Sequence, residues 1–234
     1  MHPRDGAQVT HEMEERMNQR SKPALLLIGA VLIGCTPAGS DTSRDTAIVS
    51  AGDVAASAKG AALKEGMRKL WSDHVVWTRQ YIVAAVANDP SAKTAAERLL
   101  KNQEDIGNAI APYYGSEAGT KLTALLKDHI TIAVDLVAAA KAGDKTKVGE
   151  ADKRWHDNAT EIATFLSGAN PNWSRDALVT MLNEHLSLTT QEATARIEKR
   201  WADDAKLFDQ IFEQALHMAD ALTDGIIKQF PSKV

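Results

Sequence analysis

The sequence predicts an all-α fold, an up-and-down bundle of about six helices read as three hairpins. Two observations carry this. From about residue 58 to 230, apolar residues recur at three- and four-residue steps, and no segment alternates with a strand period. Pro (7) and Gly (14) are scarce enough in 234 residues to permit long helices and too scarce for a loop-rich β-protein.

The helices follow in order. The first spans 58–87, with Leu63, Met67, Leu70, His74, Thr78, Tyr81 and Ala85 on one stripe. Asn88-Asp89-Pro90 breaks it and caps the second, 91–110, which carries Ala95, Leu99, Asn102, Ile106 and Ile110. The third, 117–142, has Leu122, Leu125, His129, Ile132 and Leu136 and ends on Gly143. The fourth, 145–167, has Val148, Trp155, Asn158, Ile162 and Phe165. The fifth, 175–188, carries Leu178, Met181, Leu182 and His185. Thr189-Thr190-Gln191-Glu192 reads as a capping box, from which a sixth helix runs to about 229 past Ile197, Trp201, Asp204 and Phe208.

Ahead of the bundle domain (59–230), residues 1–34 read as a leader and signal peptide, with Met17 the expected start. Arg20 and Lys22 precede a ten-residue apolar run, Ala24 to Ile33, well short of the ~20 residues of a spanning helix. Leu32-Ile33-Gly34-Cys35 resembles the bacterial lipobox, which implies cleavage before Cys35 and lipidation of that residue, hence anchoring to a membrane. A buried helix ending in cysteine is the other reading. Thr36, rather than Asp, after the cysteine points to the outer membrane of a two-membrane host, by analogy with sorting rules. Residues 35–58 then read as the lipidated cysteine and a flexible tether.

Charge and cysteine content exclude several classes. The balance of 27 basic against 31 acidic residues gives no electrostatic case for nucleic acid. A single cysteine rules out an internal disulfide and any multi-cysteine zinc site. No nucleophile–base pair, phosphate loop or dinucleotide fingerprint is present, so the chain leans away from enzymes. The Glu-x-x-His pairs of di-iron bundles and His-Glu-x-x-His are also absent.

The hairpins echo one another. Ser72-Asp73-His74, Lys127-Asp128-His129 and Asn183-Glu184-His185 recur at spacings of 55 and 56 residues. Arg98, Arg154 and Arg200 precede Asn102, Asn158 and Asp204 by four. These three histidines, two asparagines and Asp204 fall on the apolar stripes, where a polar group costs a few kcal/mol unless paired. At ~1.5 Å per residue, the first five share one level, whereas Asp204 is displaced by ~15 Å if the turn lies at Thr189. One reading is a metal site for Zn, Fe, Cu or Ni, with His74, His129, His185 and Asp204 as ligands and Asn102 and Asn158 orienting the rings. Another is a non-enzymatic structural or protein-interaction module with a satisfied polar core. A third is a polar pocket for a small ligand.

The tryptophans Trp71, Trp77, Trp155, Trp173 and Trp201 read as core and helix-end packing, and Arg79 as an ion-pair partner of a neighbouring helix. Asp73-His74-Val75-Val76-Trp77-Thr78-Arg79, Pro112-Tyr113-Tyr114-Gly115, Asp128-His129 through Lys141-Ala142-Gly143-Asp144, Asn170-Pro171-Asn172-Trp173-Ser174 and Met218-Ala219-Asp220 together resemble an uncharacterised family of bacterial secreted or lipidated helical proteins. The resemblance covers about 65–225 and implies an all-α fold and export. Some members bear kinase or glycosyltransferase labels, for which these residues offer no chemistry, and no catalytic residue carries over.

Overall fold

The structure, a computed structural model, describes the backbone from residue 51 and side chains from residue 58, in both cases to residue 234. The leader, the lipobox with Cys35 and the tether up to residue 50 lie outside the described residues. Six helices follow: α1 Ala51–Ala87, α2 Ser91–Tyr114, α3 Ser116–Ala142, α4 Lys145–Ala169, α5 Arg175–Ile197 and α6 Trp201–Gln229. The chain is all-α, with no strand among the described residues. Helix α1 begins at Ala51, inside the segment expected to be tether; its Ser, Ala and Gly content does not prevent a helix continuous with the periodic stretch that follows.

The hairpin turns share one device. Asn88 (φ 58°), Gly143 (φ 71°) and Lys199 (φ 61°) each take the left-handed conformation that ends a helix. After the first, the Asp89 carboxylate accepts from the Ser91 amide at 2.8 Å. After the second, Asp144 accepts from Lys147 N at 3.1 Å. Between hairpins, Gly115 alone (φ 90°) joins α2 to α3. The segment 170–174 joins α4 to α5, with Ser174 accepting from Ala177 N at 3.4 Å.

The third turn corrects the sequence expectation. Thr189-Thr190-Gln191-Glu192 is not a cap but lies inside α5, which continues to Ile197. Thr189 bonds back to the His185 carbonyl at 2.9 Å, and Glu192 turns inward to an arginine, so neither caps a helix.

Each helix packs on the next, and α6 packs back on α1, closing a ring. Helices α1, α3 and α5 also meet one another across the middle. The three hairpins are thus set in rotation, with their first helices innermost. The core between them is built from Met67, Trp71, Ile106, Leu126, Ile162 and Met218 among others, all buried. Each such side chain contributes about 1.5–3 kcal/mol by leaving water. Helices α2 and α3 approach closely at Gly107 and Gly119; a Cβ on Gly107 would lie 2.5 Å from the Gly119 carbonyl oxygen. Among the described residues no helix is long and apolar enough to cross a membrane.

Candidate functional site

His74, His129 and His185 come from the three inner helices and are buried to 3–4 % exposure. Their rings line one chamber together with Tyr81, Trp155 and Thr189. The centroids of His74 and His185 are 5.7 Å apart. His129 lies against the Trp155 ring at 5.2 Å and His74 against Trp71 at 5.6 Å. Measured as room for the centre of a water-sized sphere, the chamber has a volume of about 20 Å³, against roughly 10–15 Å³ needed for one water.

Each imidazole is met by a side-chain amide from the outer helix of its own hairpin. His129 Nδ1 faces Asn158 Oδ1 at 2.8 Å, His185 Nδ1 faces Gln214 Oε1 at 3.1 Å, and His74 Nδ1 faces Gln103 Nε2 at 3.2 Å. In every pair the amide lies 29 residues after the histidine. The left-handed turn residue lies fourteen after it, at 88, 143 and 199. Equal helical paths up to the turn and back bring ring and amide to the same level.

The amides are tied at both ends. Asn158 Nδ2 donates to the Leu125 carbonyl at 3.1 Å, and Gln214 Nε2 to that of Met181 at 2.9 Å; each carbonyl belongs to the residue four before the histidine. In the first hairpin two neighbours divide this task. Asn102 Nδ2 donates to Leu70 O at 3.0 Å, while Gln103 reaches the ring. Asn102 is therefore not the partner of His74, although it sits beside that partner, fully buried.

Asp204 does not belong to the layer. It lies ten residues before Gln214 on α6, roughly 15 Å along the axis. Its carboxylate accepts from Arg79 at 2.8 and 3.2 Å and from Arg196 at 3.1 Å. Arg79 also pairs with Glu192 of α5. Glu192 and Asp204 are both 2 % exposed, so this is a buried ion network joining α1, α5 and α6. Phe208 covers the Arg79 guanidinium at 4.7 Å. Trp201, expected on the core stripe, is 54 % exposed, with Arg196 over its ring at 4.8 Å.

Two members of the pairing escaped the sequence reading. Gln214 follows Asn158 by 56 residues, the same step that separates His129 from His185, so the repeat itself marks it. Gln103 precedes Asn158 by 55 residues, the step that separates His74 from His129, so the repeat marks it as well. The adjacent Asn102 drew the reading one position away, because it shares the amide chemistry of Asn158 and the Arg four residues before it.

Burial drives the titration of the layer. It holds His129 down to about 3 and His185 down to about 4. It holds His74 well below the ordinary 6.5, and the neighbouring imidazoles depress His74 further. All three are neutral at neutral pH, the state in which imidazole binds a metal. Glu192 moves up to about 7, pushed by burial against the pull of Arg79.

Among the described residues no group of three or more His, Cys, Asp or Glu is arranged to hold a metal ion. Comparison with protein families, with characterised proteins and with solved structures returns no match.

Proposed function

We propose that this protein is a lipid-anchored, extracytoplasmic helical bundle that holds a small guest among three imidazoles, a transition-metal ion being its most specific form. One observation carries the reading. His129 and His185 each set Nδ1 against an amide oxygen whose other end is fixed to the backbone bearing the histidine, an arrangement that selects the tautomer with the proton on Nδ1. Such outer partners orient metal-ligating histidines and leave Nε2 with its lone pair. Three neutral imidazoles suit Zn, Cu, Ni or Fe, with water completing the coordination. Cys35 supplies the anchor in this reading, and the cell envelope, specifically the outer membrane in a two-membrane host, is the location.

The test is metal analysis of the full chain after mild dialysis, beside His74→Ala/His129→Ala/His185→Ala. The reading expects about one equivalent of transition metal that the triple variant lacks; equal content near zero in both overturns it. Since the triple variant can fail to fold, His185→Gln is assayed in parallel by zinc and copper titration. Labelling with a fatty-acid probe, lost in Cys35→Ser, tests the anchor separately.

A second reading has its own support. The amides of Asn158 and Gln214 are engaged at both ends, as expected of a polar layer that fixes helix register in a non-enzymatic structural or interaction module.

A further inference from the structure

The three imidazoles are not equivalent, and the difference lies in one amide. Asn158 and Gln214 present oxygen to their rings, so His129 and His185 carry the proton on Nδ1 and an acceptor at Nε2. Gln103 presents nitrogen. Its NH2 lies 2.8 Å from the Leu99 carbonyl and 3.2 Å from Asn102 Oδ1. Both are acceptors, which fixes this end of the amide as the donor. Asn102 is itself fixed by its bond to Leu70 O. A proton on Nδ1 of His74 would therefore point at an NH2 group, whereas a lone pair there shares one of the two amide protons with Asn102 Oδ1, each at 3.2 Å. Gln103 Oε1 meanwhile has no partner among the described residues, although the side chain is fully buried.

We propose that Gln103 sets the tautomer of His74 and so decides what the chamber accepts. With the proton of His74 on Nε2, the chamber offers one donor and two acceptors. That matches a water-sized neutral guest, such as water, that accepts from His74 and donates to His129 and His185. A three-nitrogen metal site needs that proton moved from Nε2 to Nδ1 of the same ring, which leaves the ring neutral. It also needs the Gln103 amide turned so that Oε1 receives the proton. The turn sets an oxygen against the Leu99 and Asn102 oxygens, so Gln103 opposes metal entry. This rests on the reading of the chamber as a guest site, and Gln103 acts within it as a positioning residue.

Long-range ¹H–¹⁵N NMR of the metal-free full chain reads the tautomers directly. Expected are Nε2–H for His74 and Nδ1–H for His129 and His185. Calorimetric zinc titration of wild type and Gln103→Met, a substitution of similar volume that removes the amide, supplies the second arm. Zinc is expected to bind roughly tenfold more tightly to Gln103→Met, the scale of one buried polar mismatch. A proton on Nδ1 of His74 in the metal-free wild type overturns the assignment, whatever zinc does. Measurable but equal zinc affinity in the two proteins overturns the claim that Gln103 decides what the chamber accepts. Nε2–H on His74 with no zinc uptake by either protein upholds the tautomer assignment and overturns the metal reading instead.

Discussion

His129 and Asn158 are joined through Nδ1 and Oδ1 at 2.8 Å, and the same amide holds the carbonyl of Leu125, one turn before His129 on α3. One side chain thus secures both a ring and the backbone that carries it. Asn158→Ala leaves a buried ring N–H without an acceptor and opens a small cavity. The expected loss is about 2–4 kcal/mol in urea unfolding. Replacing His129 and Asn158 together by Leu removes both polar groups, so its cost should fall well below the sum of the single Leu variants. Additive costs would mean that the two groups do not interact.

Acid should destabilise the fold well above the pH at which ordinary carboxylates titrate. The unfolded chain takes up histidine protons near 6.5, whereas burial keeps His129 at about 3, His185 at about 4 and His74 well below 6.5 in the folded chain. The unfolded state therefore binds more protons below 6.5. Stability complete above that pH is lost as pH falls from 6.5 towards 4. Glu192 works in the opposite sense. Burial raises it from 4.5 to about 7, so in that interval the folded state holds the extra proton and gains stability on acidification. Three protons against one leave a net of about two, at most about 3 kcal/mol per pH unit between pH 5 and 6. Urea midpoints at pH 5, 6 and 7 measure this, and Glu192→Gln should steepen the slope. A midpoint independent of pH over that range would refute the account.

The fold class was legible because helical periodicity needs only the positions of apolar residues, and these run unbroken from Leu63 to Ile226. The level of the histidines was legible for the same reason. The third turn was not. Lys199 takes a left-handed φ with neither Gly nor Asn to announce it, while Thr189 to Glu192 imitates a helix start. That displaced turn drew attention to Asp204, through its Arg200, and away from Gln214. With the turn at Lys199 the histidine and amide levels match in all three hairpins. Trp201 escaped for a related reason: as the first residue of α6 it stands beyond the last buried turn.

The close approach of α2 and α3 at Gly107 should discriminate sharply among glycines. A Cβ on Gly107 would sit 2.0 Å from Thr123 Oγ1 and 2.5 Å from the Gly119 carbonyl oxygen. The backbone oxygen cannot rotate away, so α2 and α3 must separate. Gly107→Ala should cost about 3 kcal/mol or more. Gly66 and Gly149 are also helical, but nothing lies within 4 Å of a Cβ there. Alanine at either should stabilise by about 0.5–1 kcal/mol through helix propensity. Thermal unfolding of the three variants checks the ordering, and a benign Gly107→Ala would mean the crossing is looser than described.

Arg79 holds two buried carboxylates from different helices, Glu192 of α5 and Asp204 of α6. Removing its charge leaves Arg196, 3.1 Å from Asp204, as the remaining cation in the network. Arg79→Met should therefore cost about 3–5 kcal/mol at pH 8, where losing one partner of a buried ion network is not offset by easy protonation of Glu192. The deficit should shrink at pH 5.5. Glu192 already sits at about 7 because burial outweighs the pull of Arg79, and without that pull it takes up a proton more readily still. Arg79→Lys keeps a charge but lacks the fork that reaches Glu192 and both oxygens of Asp204, so its cost should fall between. Urea unfolding at the two pH values gives all four numbers. If Arg79→Met matched wild type at pH 8, the network would not be holding α1, α5 and α6 together, and the chamber one to two turns away would owe its shape to apolar packing alone.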